Sequence, residues 1–308
     1  MPAPAASNPA PTAATAASSS AAALAGRSVL FIGGGNMASA MISGLVAAGV
    51  PPARIGVIEP ASAARAALAA RLGVTVFAGP AEVAAAKDAG AGSSRFAADA
   101  IVLAVKPQQA EAALTGCRPL FQQWPQAVLV SIAAGTTIAT IVAASGGHPR
   151  VVRAMPNTPA LIGAGISGLY APPGLAAGDR ALAAAILAST GAVVTVDREP
   201  LIDTVTAVSG SGPAYAFYLM EAMIEGGIAG GLDPAAARDL ALHTVRGAAL
   251  LALASDEPPQ TLRQRVTSPG GTTAAAIAVL DAQQVRASLV AAVAAAAERS
   301  KELSAPAG

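Results

Sequence analysis

The residues best suited to chemistry begin with a glycine-rich turn, Gly33-Gly34-Gly35-Asn36-Met37-Ala38, which directly follows the apolar run Ser28–Ile32. The pattern G-x-G-x-x-G/A between a strand and a helix is typical of dinucleotide binding, because glycine allows the backbone to approach a pyrophosphate closely. Glu59 ends the next apolar run, where a carboxylate can accept hydrogen bonds from ribose hydroxyls. Together they predict a dinucleotide site. A glycine-rich turn in a ligand-free domain of this type would show the same pattern, so that alternative stays open.

Lys106 is a second candidate, because it follows the apolar run Ala100–Val105 and precedes Pro107. Ligands of open α/β sheets bind at the carboxyl ends of the strands, where this lysine is expected. The other two lysines of the chain, Lys87 and Lys301, lie in an expected loop and near the C-terminus. A mechanism that needs a lysine would therefore use Lys106. The alternative is a strand-end lysine that only extends its ammonium into water.

The segment Ser268-Pro-Gly-Gly-Thr-Thr273 concentrates backbone donors at the start of a predicted helix. This segment is expected to bind a carboxylate through two kinds of group. They are the free amides of Gly270, Gly271 and the helix start, and the hydroxyls of Thr272 and Thr273. An ordinary turn between helices with a threonine cap remains the alternative.

A rigid loop, Met155–Pro159, follows the last predicted strand and is expected to bring Asn157 toward the same cleft. The single cysteine, Cys117, and the two histidines, His148 and His243, are expected to be structural. Their number and spacing fit neither a disulfide framework nor a zinc site, so we predict no metal.

Composition narrows the class of protein further. Nineteen basic and 18 acidic residues give a net charge of +1, which predicts binding to neither nucleic acid nor an anionic membrane. Apolar windows are broken by glycine and proline, so we expect no membrane span. Residues 1–26 lack the basic start of a signal peptide, and the low cysteine content indicates a cytoplasmic protein. We expect that tail to be disordered, and Lys87–Arg95 to be a surface loop.

The order of elements predicts an α/β fold. Short apolar runs alternate with helical segments up to about residue 197, as in a parallel sheet covered by helices on both faces. Long helical stretches follow, beginning with Pro213–Gly227 and Pro234–Ala254. We therefore predict a Rossmann dinucleotide-binding domain over 27–197 and an all-α domain over 198–308.

These residues together resemble the pyrroline-5-carboxylate reductase family. The resemblance runs in order from about residue 27 to 303 and rests on six motifs: Gly33–Ala38, Ala104-Val-Lys-Pro107, Ser131-Ile-Ala-Ala-Gly135, Arg153–Pro159, Val208–Tyr215 and Val266–Thr273. It implies reduction of the C=N bond of 1-pyrroline-5-carboxylate to L-proline by NADPH or NADH, the last step of proline biosynthesis. It also implies a helical dimerisation domain and a homodimer or a larger assembly of dimers.

Most of the expected site residues follow from the resemblance by position, whereas Glu59, Pro107, Gly270, Gly271 and Asn157 follow from the motifs themselves. Cofactor contacts would come from Ile32, Gly33, Gly34, Gly35, Asn36, Met37, Glu59, Val105, Lys106, Pro107 and Ala134. Substrate contacts would come from Gly270, Gly271, Thr272, Thr273, Asp256 and Asn157, with Thr273 as the catalytic candidate. Glu257 beside Asp256 leaves that acidic position open by one residue.

Two other functions remain at this point. A hydroxyacid dehydrogenase of the same architecture usually places a lysine in the first helix of its second domain, and no lysine lies between residues 107 and 300. A non-catalytic dinucleotide sensor would keep the glycine turn but would not need the segment Ser268–Thr273. For reduction of a cyclic imine, the protonated iminium is already electrophilic, so the protein must mainly hold and orient the reactants.

Overall fold

The computed structural model describes residues 13–86 and 96–304. The expected surface loop Lys87–Arg95 and residues 1–12 of the expected tail lie outside the described residues. Within the described part, the chain forms two compact units: residues up to Gly210 together with those from Ser300 onward, and Ser211–Arg299.

The first unit is built on a single eight-stranded sheet. The strands are β1 (Val29–Ile32), β2 (Ile55–Ile58), β3 (Thr75–Phe77), β4 (Ala100–Leu103), β5 (Val128–Ser131), β6 (Val151–Met155), β7 (Gly165–Tyr170) and β8 (Gly191–Val196). Their order is β3-β2-β1-β4-β5-β6-β7-β8, and every neighbouring pair is parallel except β6 and β7. The expected Rossmann α/β domain is confirmed, and the antiparallel β7 makes the sheet mixed.

Both faces of this sheet are covered, as the all-apolar strands predict. In β1, Val29 and Phe31 belong to one core cluster, whereas Leu30 and Ile32 belong to the other. Alternation of this kind requires helices on each side, because successive strand residues point to opposite faces. The helices of this unit are α1 (Ala13–Leu24), α2 (Asn36–Ala47), α3 (Ser62–Leu72), α4 (Pro80–Ala85), α5 (Pro107–Gly116), α6 (Arg118–Gln123), α7 (Ile138–Ala144), α8 (Ala177–Ala188) and α9 (Leu201–Val205), with 3-10 turns at Pro52–Arg54 and Thr158–Ile162 and a π-helical turn at Thr206–Gly210.

The second unit is helical throughout its described elements. It contains α10 (Gly212–Ala229), α11 (Pro234–Leu253), α12 (Pro259–Arg265), α13 (Thr272–Ala282) and most of α14 (Val285–Ser304). The observed division lies after Gly210, whereas the sequence predicts a boundary between residues 197 and 198. The reason is that α9 packs against β6 and β7, and the end of α14 belongs to the first unit.

No single described helix is long and apolar enough to cross a membrane. One bent pair of helices, α13 and α14, passes the length and composition test only when taken together.

The expected disorder of residues 1–26 is wrong for the part that the structure describes. Alanine-rich α1 packs against α8, and Leu24 at its end is 4% exposed within the core. The segment after α1 is also tied down, because Gly26 accepts a hydrogen bond from the Arg54 guanidinium. Alanine has the highest helix propensity, so one well-placed leucine is sufficient to dock a helix that lacks a visible apolar pattern.

Replacing Leu24 by alanine should therefore lower the free energy of unfolding by about 2–4 kcal/mol, because a buried leucine would leave a cavity. Chemical denaturation of the variant and the wild type measures this difference. Ala22→Ser is the matched control, since Ala22 lies on the exposed side of the same helix. Equal stability of the two variants would contradict docking of α1.

Candidate functional site

The first element of the site is the turn after β1, where the chain passes very close to β4. Gly33 has a φ of +97° and its amide donates to the carbonyl of Ile58 at 2.9 Å. A Cβ at this position would lie 2.8 Å from the carbonyl oxygen of Ala104. The position therefore requires glycine for both its left-handed backbone and its space.

Glu59 is held against this turn at the end of β2. Its Oε2 accepts from the Gly34 amide at 3.1 Å, and its Oε1 accepts from the Ala61 amide at 3.0 Å. A Cβ on Gly34 would lie 2.5 Å from Leu68 Cδ1, so this second glycine is also fixed by packing. Both carboxylate oxygens are thus oriented by the backbone. The sequence placed Glu59 beside the turn correctly.

Gly35 differs from the two glycines before it. It is the N-cap of α2, and a Cβ there would meet none of the described atoms within 4 Å. The amides of the first turn of α2 have no acceptor inside the helix and carry the positive end of its dipole. Open space at a helix N-terminus is what an anionic group such as a pyrophosphate requires.

A cavity of about 720 Å³ opens beside this turn in the first unit. Its wall includes seven of the residues predicted to contact the cofactor: Ile32, Gly33, Gly34, Gly35, Glu59, Val105 and Lys106. Gly33 and Gly34, whose positions leave no room for a side chain, the open helix start at Gly35 and the fixed carboxylate together match the pyrophosphate and ribose of a dinucleotide. The residues present therefore fit such a cofactor.

A smaller cavity of about 230 Å³ adjoins the first, because both are lined by Ala104 and Val105. Met37 and Asn157 line it as well, together with Ile132 from the loop after β5. Asn157 is buried, and its Oδ1 accepts from the Ile166 amide at 2.9 Å, which holds the loop after β6 against β7. The structure thus gives Asn157 a structural role at a cavity wall.

Of the three remaining predicted cofactor residues, two begin helices and one lies in a loop. Asn36 begins α2, Pro107 begins α5 after Lys106, and Ala134 lies in the loop between β5 and α7. Lys106 is the exposed N-cap of α5. Proline is favoured at the first helical position, because the amide that it lacks would have no partner there. The start of α5 is therefore explained by the local sequence.

The predicted substrate segment lies in the second unit. Gly270 has a φ of +71°, Gly271 is the N-cap of α13, and Thr272 and Thr273 are its first two residues. A Cβ on Gly271 would lie 2.6 Å from Ser268 Oγ. The turn therefore forms as predicted, but the Gly271 amide is not free as expected, because it donates to the Ser268 carbonyl at 3.1 Å.

The structure distinguishes the two neighbouring acidic residues that precede this turn, which the sequence left as alternatives. Asp256 is exposed, whereas Glu257 is partly buried and pairs with Arg265 at 2.6 Å. The Oε2 of Glu257 is buried without a hydrogen-bond partner among the described residues. Of the two neighbours, Glu257 is the one that the fold encloses.

Of the three titratable groups expected to be structural, Cys117 and His148 are buried, whereas His243 is exposed on α11 and its expected role stays a prediction. Burial raises the pKa of the Cys117 thiol to about 12, so this cysteine in the wall of the larger cavity is a neutral thiol at physiological pH. Burial also lowers the pKa of His148, whose Nε2 lies 2.9 Å from the Ala127 carbonyl oxygen. Among the described residues, no group of three or more His, Cys, Asp or Glu could hold a metal ion.

One residue that the sequence reasoning passed over is Arg153, which is 2% exposed in the middle of β6. The sequence does indicate an unusual role for this arginine, because an arginine inside an otherwise apolar buried strand must have charged partners. Those partners are distant in the chain and could not be read from local spacing.

Comparison with known families divides the chain in a similar way. Residues 199–303 match the family described as pyrroline-5-carboxylate reductase dimerisation. Residues 28–135 match the family described as NADP oxidoreductase, coenzyme F420-dependent.

Individual relatives cover nearly the whole chain. It is 44% identical to a pyrroline-5-carboxylate reductase of Pseudomonas aeruginosa over 89% of this chain and 96% of the relative. It is 38% identical to one of Arabidopsis thaliana, over 89% and 94%. A solved pyrroline-5-carboxylate reductase structure from Coxiella burnetii shares 36% identity and a TM-score of 0.80, over 91% and 99%. One from Plasmodium falciparum, with NADP bound, shares 27% identity and a TM-score of 0.76 over the same shares.

Proposed function

The chain belongs to the pyrroline-5-carboxylate reductase family, and from this membership we propose the role of each part of its site. Its activity is the NAD(P)H-dependent reduction of the C=N bond of 1-pyrroline-5-carboxylate to L-proline, the last step of proline biosynthesis. The glycine turn binds the pyrophosphate of the cofactor, Glu59 binds its adenosine ribose, and the turn before α13 binds the substrate.

The reaction needs little beyond placement of the two reactants. The cofactor, when bound, supplies the hydride. The protein's residues must hold the substrate carboxylate and place the ring carbon correctly. Amides of Gly270 and the first turn of α13 can donate to that carboxylate, as helix N-termini do for anions, whereas the Gly271 amide is already paired with the Ser268 carbonyl. We assign to the Thr273 hydroxyl a hydrogen bond with the ring nitrogen, whose lone pair forms as the hydride reaches the ring carbon.

The observation that carries this proposal is the fixed pair of Gly34 amide and Glu59 carboxylate at the mouth of the 720 Å³ cavity. Its test is to incubate the purified protein with pyrroline-5-carboxylate and reduced cofactor and to follow the absorbance of reduced nicotinamide. Consumption is expected. Oxidation of a 2-hydroxy acid instead would indicate a hydroxyacid dehydrogenase, and cofactor binding without turnover of either substrate would indicate a sensor.

Glu59 also bears on the choice between NADH and NADPH. Its negative charge faces the cavity, where it would repel a 2′-phosphate but accept hydrogen bonds from the hydroxyls of an unmodified ribose. Arg65 is the nearby cation that could offset this charge. Its Nη1 donates to the backbone carbonyls of Glu59 and Pro60 at 2.8 and 2.6 Å. We propose that this chain uses NADH.

We expect Glu59→Ser to shift the ratio of kcat/KM for the two cofactors toward NADPH by roughly tenfold, which corresponds to about 1.4 kcal/mol. Glu59→Gln should shift it in the same direction, because it removes the charge while keeping an acceptor for Gly34. Steady-state kinetics with both cofactors measure this ratio.

Glu82→Ser is the matched control for this cofactor test. Glu82 also accepts a backbone amide, that of Ala78 at 2.6 Å, but it does not line the cavity. Its loss should leave the cofactor ratio unchanged. Strict dependence of the wild type on NADPH would show that the Glu59 carboxylate does not serve the ribose.

Thr273 allows the catalytic proposal to be separated from simple helix capping. If its hydroxyl stabilises the transition state, Thr273→Ala should lower kcat by roughly 100-fold, the usual order for the loss of one preorganised donor. Thr273→Ser keeps the oxygen and should retain most of the activity. Kinetics and melting curves of both variants are the measurements.

The two roles of Thr273 give opposite results. A capping role predicts that Thr273→Ala costs about 1 kcal/mol of stability and spares kcat. An alanine variant with normal kcat would therefore remove Thr273 from the catalytic residues.

We further propose that the protein is a cytoplasmic homodimer or an assembly of dimers. The support is the match to a dimerisation family over residues 199–303 and the large apolar side chains that the second unit exposes. Tyr218 is 74% exposed and Leu253 is 84% exposed in the single chain. A lone helical unit rarely exposes so much apolar surface without a partner.

Sedimentation equilibrium at micromolar concentration should show no active monomer. Leu253→Glu should weaken assembly without unfolding the chain, because this side chain makes few contacts within one subunit. Ala181→Glu adds the same charge at an exposed position of α8, outside the dimerisation match, and should leave the mass unchanged. An active wild-type monomer would refute the proposal.

A further inference from the structure

The guanidinium of Arg153 bridges two carboxylates inside the first unit. Nη1 lies 3.3 Å from Glu199 Oε1, and Nη2 lies 3.2 Å from Asp203 Oδ1. Arg153 is 2% exposed, so its charge would be very costly to bury without these partners. The planar guanidinium group of arginine can donate to two separate acceptors at once. The ammonium group of lysine is a compact point charge and cannot bridge the same two acceptors.

The Asp203 end of this bridge holds the last residues of α14. Ser300 Oγ donates to Asp203 Oδ1 at 2.8 Å, and Ser304 Oγ lies 3.3 Å from the same oxygen. Arg153 Nη2 also donates to Ser304 Oγ at 3.4 Å. One arginine therefore organises the α9 segment and the end of the chain's last helix.

Both arms of this network reach the loop between β5 and α7. Glu199 Oε1 accepts from the Ile138 amide at 2.7 Å, at the start of α7. In the middle of the loop, a Cβ on Gly135 would lie 3.0 Å from the carbonyl oxygen of Leu303, so the end of α14 packs directly against the loop. At its beginning, Ser131 pairs with Arg153 in the sheet.

That loop belongs to the proposed cofactor site. Ile132 lines the smaller cavity, and Ala134 is a predicted cofactor contact. The loop is thus supported at its start, its middle and its end by one buried cation and the groups that the cation holds. Arg153 itself lines neither cavity.

We propose that Arg153 is a positioning residue that sets the affinity for the reduced nicotinamide cofactor by holding the loop Ser131–Ile138 in its binding conformation. Glu199 transmits this effect to the end of the loop, and Asp203 with Ser300 and Ser304 transmits it to the middle. The inference rests on the cofactor site proposed above.

The test compares Arg153→Lys with the wild type in the full-length protein. The dissociation constant of NADH, measured by its fluorescence change on binding, should rise about three- to thirtyfold, the range seen when residues away from a ligand are coupled to it. Amide hydrogen exchange should accelerate in residues 131–138. At saturating cofactor, kcat should change much less than KM for the cofactor.

Arg150→Lys is the matched control. Arg150 immediately precedes the same strand and pairs with the buried Asp179 at 2.5 Å, away from the loop. This variant should lose comparable stability and bind NADH like the wild type. A purely structural role for Arg153 predicts that both variants lower the melting temperature and leave the dissociation constant unchanged.

Glu199→Ala provides a milder test should Arg153→Lys fail to fold, because the Glu199 side chain is 25% exposed. It removes the acceptor for Ile138 and one of the two carboxylates paired with Arg153, while the Asp203 arm stays in place, and it should also weaken NADH binding and loosen the end of the loop. Wild-type affinity and wild-type exchange in the folded variants would overturn the positioning role alone. Failure of the wild type to bind any reduced cofactor would instead overturn the proposed function on which the role depends.

Discussion

The turn after β1 lies against the ends of β2 and β4, and the whole cofactor site depends on that approach. Backbone hydrogen bonds continue past the strand ends, from Gly33 to the carbonyl of Ile58 at 2.9 Å and from Ala104 to that of Ile32 at 2.8 Å. A side chain at Gly33 would collide with Ala104 and separate the strands. The hydrogen bond from Gly34 to Glu59, which fixes the carboxylate that we propose binds the ribose, exists only because these strands stay together.

A second constraint is the buried charge of Arg153 in β6, the strand that pairs with the antiparallel β7. Burying an arginine is unfavourable unless its partners are excellent, and apolar replacements of such networks are often as stable. The Arg153 network joins β6, the segment before α9 and the end of α14, which are far apart in sequence. Its value to the protein is therefore geometric, since it specifies one arrangement of three elements around the loop after β5.

The parts that sequence could predict are those with local causes. Strands β1, β2, β4, β5 and β6 appear as short apolar runs because they are buried on both faces, β3 is a shorter run at the partly exposed sheet edge, and the glycine turn with Glu59 is read from spacing alone. Strand β8 was missed because it is half-exposed, and β7 because glycine and serine interrupt it. The docking of α1 involves one buried leucine, Leu24, and the neighbouring Ala23, which form no visible apolar pattern in an alanine-rich helix. The partners of Arg153 lie 46, 50 and 151 residues away, which no local pattern encodes.

The chemistry of the reaction explains why such supports matter more than reactive side chains. A protonated cyclic imine is already electrophilic, so rate depends chiefly on how closely the reacting carbon and the nicotinamide are held. In the proposed site, backbone amides at two helix starts provide the anion contacts, and a substitution removes such an amide only when it introduces proline. The adjustable parts of this proposed site are therefore side chains. The proposal assigns the choice of cofactor to Glu59, the affinity for the cofactor to Arg153 and the rate of reduction to Thr273.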